Sequence, residues 1–168
     1  DSEGFFASNG RTGGRGEKLP WHKDYIDAWK QATEEKKLIF IDFTGINCTN
    51  CRDNEKNVFS KQDVMEEFRK YVLVALYTDT VPSPKLSSSE AAAQAERNTR
   101  WRDTLSQRIT LPTYLIFRPD NLEPFDANGL PKGEVLGVRD GTIFDKADFV
   151  NFLKQPVYVS RPQVSPNG

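Results

Sequence analysis

Cysteine and histidine are nearly absent from this chain of 168 residues, which carries two cysteines, Cys48 and Cys51, one histidine, His22, and one methionine. A structural zinc ion normally takes four ligands, and two thiols with one imidazole fall short of that within a single chain. No metal and no other cofactor is therefore expected. His22, in the approach to the first helix, reads as an ordinary surface residue. The two cysteines also make a poor staple, because a bridge between positions three apart closes a very small loop and constrains the unfolded chain little. Their spacing argues for chemistry before stability.

Two further scarcities narrow the field. Charge of either sign is not in excess: 23 basic against 24 acidic side chains leave a net charge of −1, so no electrostatic reason exists to expect nucleic acid as a partner. The short Lys36-Lys37 pair adjoins Glu34-Glu35 and reads as a solvated helix face. Long apolar runs are missing as well. No stretch approaches the roughly 18 residues needed to cross a bilayer, and a soluble chain is expected. It starts at Asp1 without a charged-then-apolar leader. That is the pattern expected of a processed protein or of a piece of a longer one, whose compartment is then set by residues not present here.

What is present suffices for one domain with a sizeable core. Residues 1–20, rich in glycine, read as a flexible leader or linker, and residues 156–168, with Pro156, Pro162 and Pro166, as an extended tail. Between them, 21–155 alternate. Residues 24–36 place Ile26, Trp29 and Ala32 on one helical face. Residues 38–43 and 71–77 are short apolar runs expected as buried strands, and 113–117 give a third. Ser60 with Asp63 reads as the cap of a helix burying Val64, Met65 and Phe68. A loop over 80–89 and a long helix over 90–108 follow. Residues 122–124 and 134–138, around the turn 128–133, suggest a terminal hairpin, and Asp145 can cap a last helix over 146–154. The order α, β, α, α, β, α, β, β, α predicts an α/β sandwich, with helices on both faces of a mixed sheet.

Within that order Cys48-Thr49-Asn50-Cys51 follows the first long strand and a turn through Gly45, with a helix starting near Cys48 or Thr49. A thiol at a helix N-terminus faces unpaired N–H groups and the positive end of the dipole, which favour the thiolate, the attacking species. Cys48, on the outer side, is expected to attack a substrate disulfide. Cys51, one turn deeper, is expected to resolve the mixed disulfide.

Asp42 lies in the middle of an apolar strand, six residues before Cys48. Either it points to solvent at a strand edge, or it is buried with a raised pKa and exchanges protons near neutrality. Its position relative to the cysteines favours the second reading. Glu55, four residues after Cys51, reads on its own as a surface glutamate. Leu111-Pro112 opens the third strand with a residue that cannot donate to the ladder. A trans bond there would merely initiate the strand. A cis bond would leave backbone free beside the cysteines for a substrate peptide.

Ile41-Asp42-Phe43, Cys48-x-x-Cys51 and Leu111-Pro112-Thr113 resemble the thioredoxin superfamily in order and spacing. Cys51 followed by Arg52 and Glu55, with the Val58-Phe59-Ser60 segment after it, is most similar to the C-terminal periplasmic domains of the DsbD thiol:disulfide interchange proteins. The resemblance spans about residues 21–155 and implies a thioredoxin-like three-layer sandwich. It implies Cys48 as nucleophile, Cys51 as resolving thiol and Asp42 as the buried acid serving the deeper thiol. Glu55 becomes a second acid that holds the thiol pKa high, and Pro112 the cis-proline. It further implies an upstream dithiol donor, a membrane-embedded domain being one candidate, and protein disulfides as acceptors in the periplasm or another exported setting; a monomer is expected. Two departures stand out. Asn47 occupies the position before the first cysteine, commonly Trp, which bears on how partners are recognised. The stretch 80–100 exceeds what a minimal thioredoxin needs, as a structural elaboration or part of a docking surface.

The spacer Thr49-Asn50 carries no charge, while Asp42 and Glu55 disfavour further negative charge nearby. Both features favour an electron donor over an oxidant, against the opposing effect of the helix terminus. The competing class is a thioredoxin-fold binding module, its cysteines holding a soft metal such as Cu(I) or forming a permanent bridge.

Overall fold

The computed structural model describes residues 19–160, with side chains through residue 155. The chain forms strand β1 (Trp21–His22), helix α1 (Tyr25–Glu35), β2 (Ile39–Thr44) and α2 (Thr49–Asn54), which runs on as a π-helical segment, Glu55–Phe59. Then come α3 (Gln62–Phe68), β3 (Val72–Tyr77), α4 (Ser88–Ser106), β4 (Thr113–Pro119), β5 (Gly133–Asp140) and α5 (Lys146–Ser160). The sheet order is β1-β3-β2-β4-β5. Strands β1 and β2 lie parallel to β3, whereas β4 runs antiparallel to β2 and β5 antiparallel to β4. This is the mixed α/β sandwich that the alternation predicts.

Strand β2 is central and buried along its whole length. Its alternation divides the core. Ile39, Ile41 and Phe43 face a layer with Tyr25, Ala28 and Ala32 of α1 and Trp101 of α4. Phe40 faces the other layer, with Phe59, Phe68, Tyr114 and Phe149. Period-two geometry puts Asp42 on the Phe40 side. There the rings pack tilted and stacked, Phe40 against Phe68 at 5.0 Å and Phe59 against Phe149 at 5.8 Å. Contacts of this kind add about 0.5–1.5 kcal/mol each beyond area burial.

Several local expectations need correction. Helix α1 buries Tyr25, Ala28 and Ala32, with Ile26 and Trp29 only half-buried. Ser60 caps no helix: α3 starts after Lys61, and the Ser60 hydroxyl instead donates to the Lys56 carbonyl at 2.7 Å. Helix α4 begins two residues earlier than the composition suggests. Ser87 and Glu90 form a reciprocal capping box that satisfies its first N–H groups. The expected hairpin between 122–124 and 134–138 does not form. Strand β5 pairs with β4, from Thr113↔Asp140 to Pro119↔Gly133. The intervening loop is folded by Asp120 and Asp126, whose carboxylates accept backbone N–H groups. Strand β1, only two residues long, is too short to carry a sequence pattern. Finally, α5 continues to Ser160, into the stretch expected to be an extended tail. Residues 161–168 and 1–18 lie outside the described residues. His22 is half-buried, its Nε2 2.6 Å from Gln31 Oε1.

Candidate active site

Strand β2 ends at Thr44, and a turn through Gly45, Ile46 and Asn47 leads to Cys48, which is the N-cap of α2. Cys48 and Cys51 are joined in a disulfide, their Cα atoms 5.3 Å apart. The Cys48 sulfur accepts the Cys51 N–H at 3.1 Å, so a free helix-start donor faces the outer sulfur, the arrangement that stabilises a thiolate. Cys48 is half-buried and Cys51 only 1% exposed. The outer and inner positions expected of the pair are the ones observed.

The turn is gripped from two sides. Arg52 donates to the carbonyls of Gly45 (2.8 Å) and Ile46 (2.9 Å) and to Thr44 Oγ1 (2.9 Å). Asp79, just past β3, accepts the N–H groups of Ile46 (3.0 Å) and Asn47 (3.2 Å). A Cβ at position 45 would lie 3.2 Å from Asp79 Oδ2 and 3.3 Å from Leu111 Cδ1, so a larger residue there would press on both side chains. Leu111 thus abuts the turn. The Leu111–Pro112 bond is cis, and β4 begins at the next residue, with Thr113 paired to Phe43 at the end of β2. Pro112 therefore stands beside the strand end from which the cysteine turn departs. Its carbonyl is not free, since it accepts the Gly141 N–H at 2.9 Å.

Asp42 is 1% exposed, and its Oδ1 has no hydrogen-bond partner. It does not point to solvent. Burial pushes its carboxyl well above the usual carboxylate range, and the Glu55 charge adds to the effect, with Arg52 opposing. Glu55 is not the surface residue its composition suggests: it is 4% exposed. The π-helical segment that starts at Glu55 widens the helix, so that Glu55, Val58 and Phe59 all turn inward. Burial raises the Glu55 pKa, partly offset by Arg52, whose Nε and Nη2 meet the two carboxylate oxygens at 3.0 and 2.9 Å. Asn47 is exposed and brings no aromatic ring to the cysteines; Ile46 beside it is an exposed apolar side chain.

Arg52, Asp79 and Asn54 also belong to the site, through the turn before Cys48 and the Pro112 loop. The Arg52–Glu55 spacing of three is a recognisable helix pair. Nothing local marks the hold of Asp79 on the turn, whose N–H groups are 32 and 33 positions away. Among the described residues, no three His, Cys, Asp or Glu side chains converge to hold a metal ion, and no helix is long and apolar enough to cross a membrane.

Comparison with curated proteins gives no match. Among solved structures, the chain is similar to a thioredoxin from Thermus thermophilus, at 19% identity over 82% of this chain and 85% of that one (TM-score 0.55). It is similar to a DsbH oxidoreductase at 15% identity over 90% and 94% (TM-score 0.58). The oxidised C-terminal domain of Neisseria meningitidis DsbD gives 11% over 80% and 97% (TM-score 0.51). At such identities the likeness concerns the fold. The thioredoxin-like family model matches residues 20–119, more than half of the sequence, and the chain belongs to that family.

Proposed function

We propose that this protein is a thiol–disulfide oxidoreductase of the DsbD-like kind, acting as a reductant of protein disulfides. The observation that carries the reading is the asymmetry of the pair: Cys48 half-buried at a helix start, Cys51 buried behind it. In the reduced protein the Cys48 thiolate attacks a substrate disulfide, forming a mixed disulfide and releasing one substrate thiolate, which takes up a proton. Cys51, deprotonated, then attacks Cys48 and releases the second. Two electrons and two protons pass from the dithiol to the substrate, and an upstream dithiol restores the enzyme.

Asp42 is the base for Cys51 in this reading, because a buried carboxyl with a raised pKa can take and return a proton near neutrality. Glu55, buried one helical turn after Cys51 and only partly offset by Arg52, is in this reading the second acid that disfavours a stable second thiolate, the property of a donor. The exposed side chains of Ile46, Ile109 and Phe144 border the cysteine turn, the Pro112 loop and the segment after Gly141. In this reading they offer apolar contacts to a substrate in place of the aromatic missing at Asn47. Exported or periplasmic proteins bearing disulfides are the acceptors that suit a reductant of this type. Reduction of insulin with dithiothreitol as electron donor tests the reading; no acceleration over dithiothreitol alone would refute it.

Asp42 also makes stability depend on pH. In the unfolded chain it titrates near the ordinary 3.8, whereas burial raises it in the fold. Between those values the folded state binds more protons. The stability present below the ordinary value is thus lost as pH rises toward and through the folded one. Asp42→Asn keeps the shape and removes the charge. Denaturation of the oxidised protein is expected to show the variant more stable than wild type at pH 8 by at least about 1 kcal/mol, roughly 3 °C. At pH 4 the two should nearly coincide. Its insulin reduction should fall about tenfold or more. Equal stability at both pH values would show that Asp42 carries no burial penalty.

A further inference from the structure

Asn54 has no part in the exchange chemistry described above, yet its side chain is the most heavily used buried amide near the cysteines. It lies on α2 three residues after Cys51 and is 1% exposed. Its Nδ2 donates to the Tyr114 hydroxyl at 2.8 Å and to the Gly141 carbonyl at 3.0 Å, while its Oδ1 accepts the Ile143 N–H at 2.9 Å. The N–H of Gly141 in turn donates to the Pro112 carbonyl at 2.9 Å. Tyr114 is two residues beyond Pro112 on β4. One amide therefore joins the helix that presents Cys48 to both elements that fix the Pro112 loop. An apolar residue, the economical choice on a buried helix face, would leave the Tyr114 hydroxyl, a carbonyl and an N–H without these bonds, in surroundings where such groups are costly to leave unpaired.

We infer that Asn54 is a positioning residue, a latch that sets the gap between Cys48 and the Pro112 loop and thereby the fit of a polypeptide disulfide. The inference rests on the oxidoreductase reading. A polypeptide touches both walls of that gap, whereas a small disulfide needs only the Cys48 sulfur. The latch thus acts on one class of substrate and not on the other.

The test is single-turnover oxidation of the reduced, desalted protein, with remaining thiols counted after alkylation. Insulin and 2-hydroxyethyl disulfide serve as the two oxidants. For Asn54→Leu the half-saturating insulin concentration should rise about tenfold, as loss of alignment predicts. The rate constant with 2-hydroxyethyl disulfide should stay within about twofold of wild type. Asn54→Ser, too short to span the three partners, reads the same ratio should the leucine variant fail to fold. An equal loss with both oxidants would place Asn54 in support of the thiol itself, and no loss with either would make it packing alone; each overturns the latch. Wild-type protein that reduces neither oxidant would instead remove the oxidoreductase reading, whatever Asn54 does.

Discussion

Cys48→Ser should bring insulin reduction down to the rate of dithiothreitol alone, and Cys51→Ser should trap the substrate on Cys48. The two outcomes differ because the two sulfurs occupy different places. Cys48 caps α2 and is accessible, whereas Cys51 is 1% exposed. An oxygen in place of the outer sulfur leaves no nucleophile that a substrate can reach, and hydroxyls do not exchange with disulfides. An oxygen in place of the inner one leaves the first attack intact and removes the only internal route out of the mixed disulfide. Cys51→Ser should therefore appear on non-reducing gels as covalent adducts that dithiothreitol dissolves. Mixed with disulfide-bearing proteins, the same variant should capture its acceptors by their own disulfides. Retained turnover in Cys48→Ser would sink the mechanism. Adducts forming on Cys51 in Cys48→Ser, rather than on Cys48 in Cys51→Ser, would reverse the assigned roles.

The sequence alone conveyed the sandwich and the cysteine pair because both are written in local pattern. Apolar runs of strand length, helical periodicity and a CxxC between them need no tertiary information. Asp42 was readable for the same reason, as a charge interrupting the run 38–43. Glu55 was not. On an ordinary helix it can face water, and only the widened turn at Glu55–Phe59 carries it inward. The hairpin expected between 122–124 and 134–138 does not form because Pro124 and Gly129 are genuine turn signals that belong to the long connection between β4 and β5. Pairing across that connection is decided by register in the sheet, which short-range patterns do not encode. Asp79 and Asn54 were invisible for a related reason. Both act on backbone groups 32 to 89 positions away, so their roles exist only once the sheet has brought β2, β3 and β4 together.

Arg52 gives the largest stability change expected of any single substitution at the site. Its side chain is 19% exposed, that of Glu55 only 5%, so the pair is screened far less than a surface ion pair. Arg52→Met keeps much of the alkyl stem but strands the Glu55 carboxylate in a buried position. It also deletes the bonds to Thr44, Gly45 and Ile46. Removing one partner of a buried pair typically costs about 3–5 kcal/mol, and urea denaturation at pH 8 should show a loss of that order. The loss should shrink at pH 5. Burial already raises the Glu55 pKa, and Arg52 is what offsets it. Without the guanidinium the folded carboxyl holds its proton to higher pH, while the unfolded one does not. The folded state then binds more protons over that window, and stability falls as pH rises through it. Glu55→Gln on the Arg52→Met background removes the stranded charge and should restore part of the lost stability. What it fails to restore measures the grip of Arg52 on the turn before Cys48. If Arg52→Met unfolds within about 1 kcal/mol of wild type at pH 8, the pair is no more than a surface contact, and the turn is held by Asp79 alone.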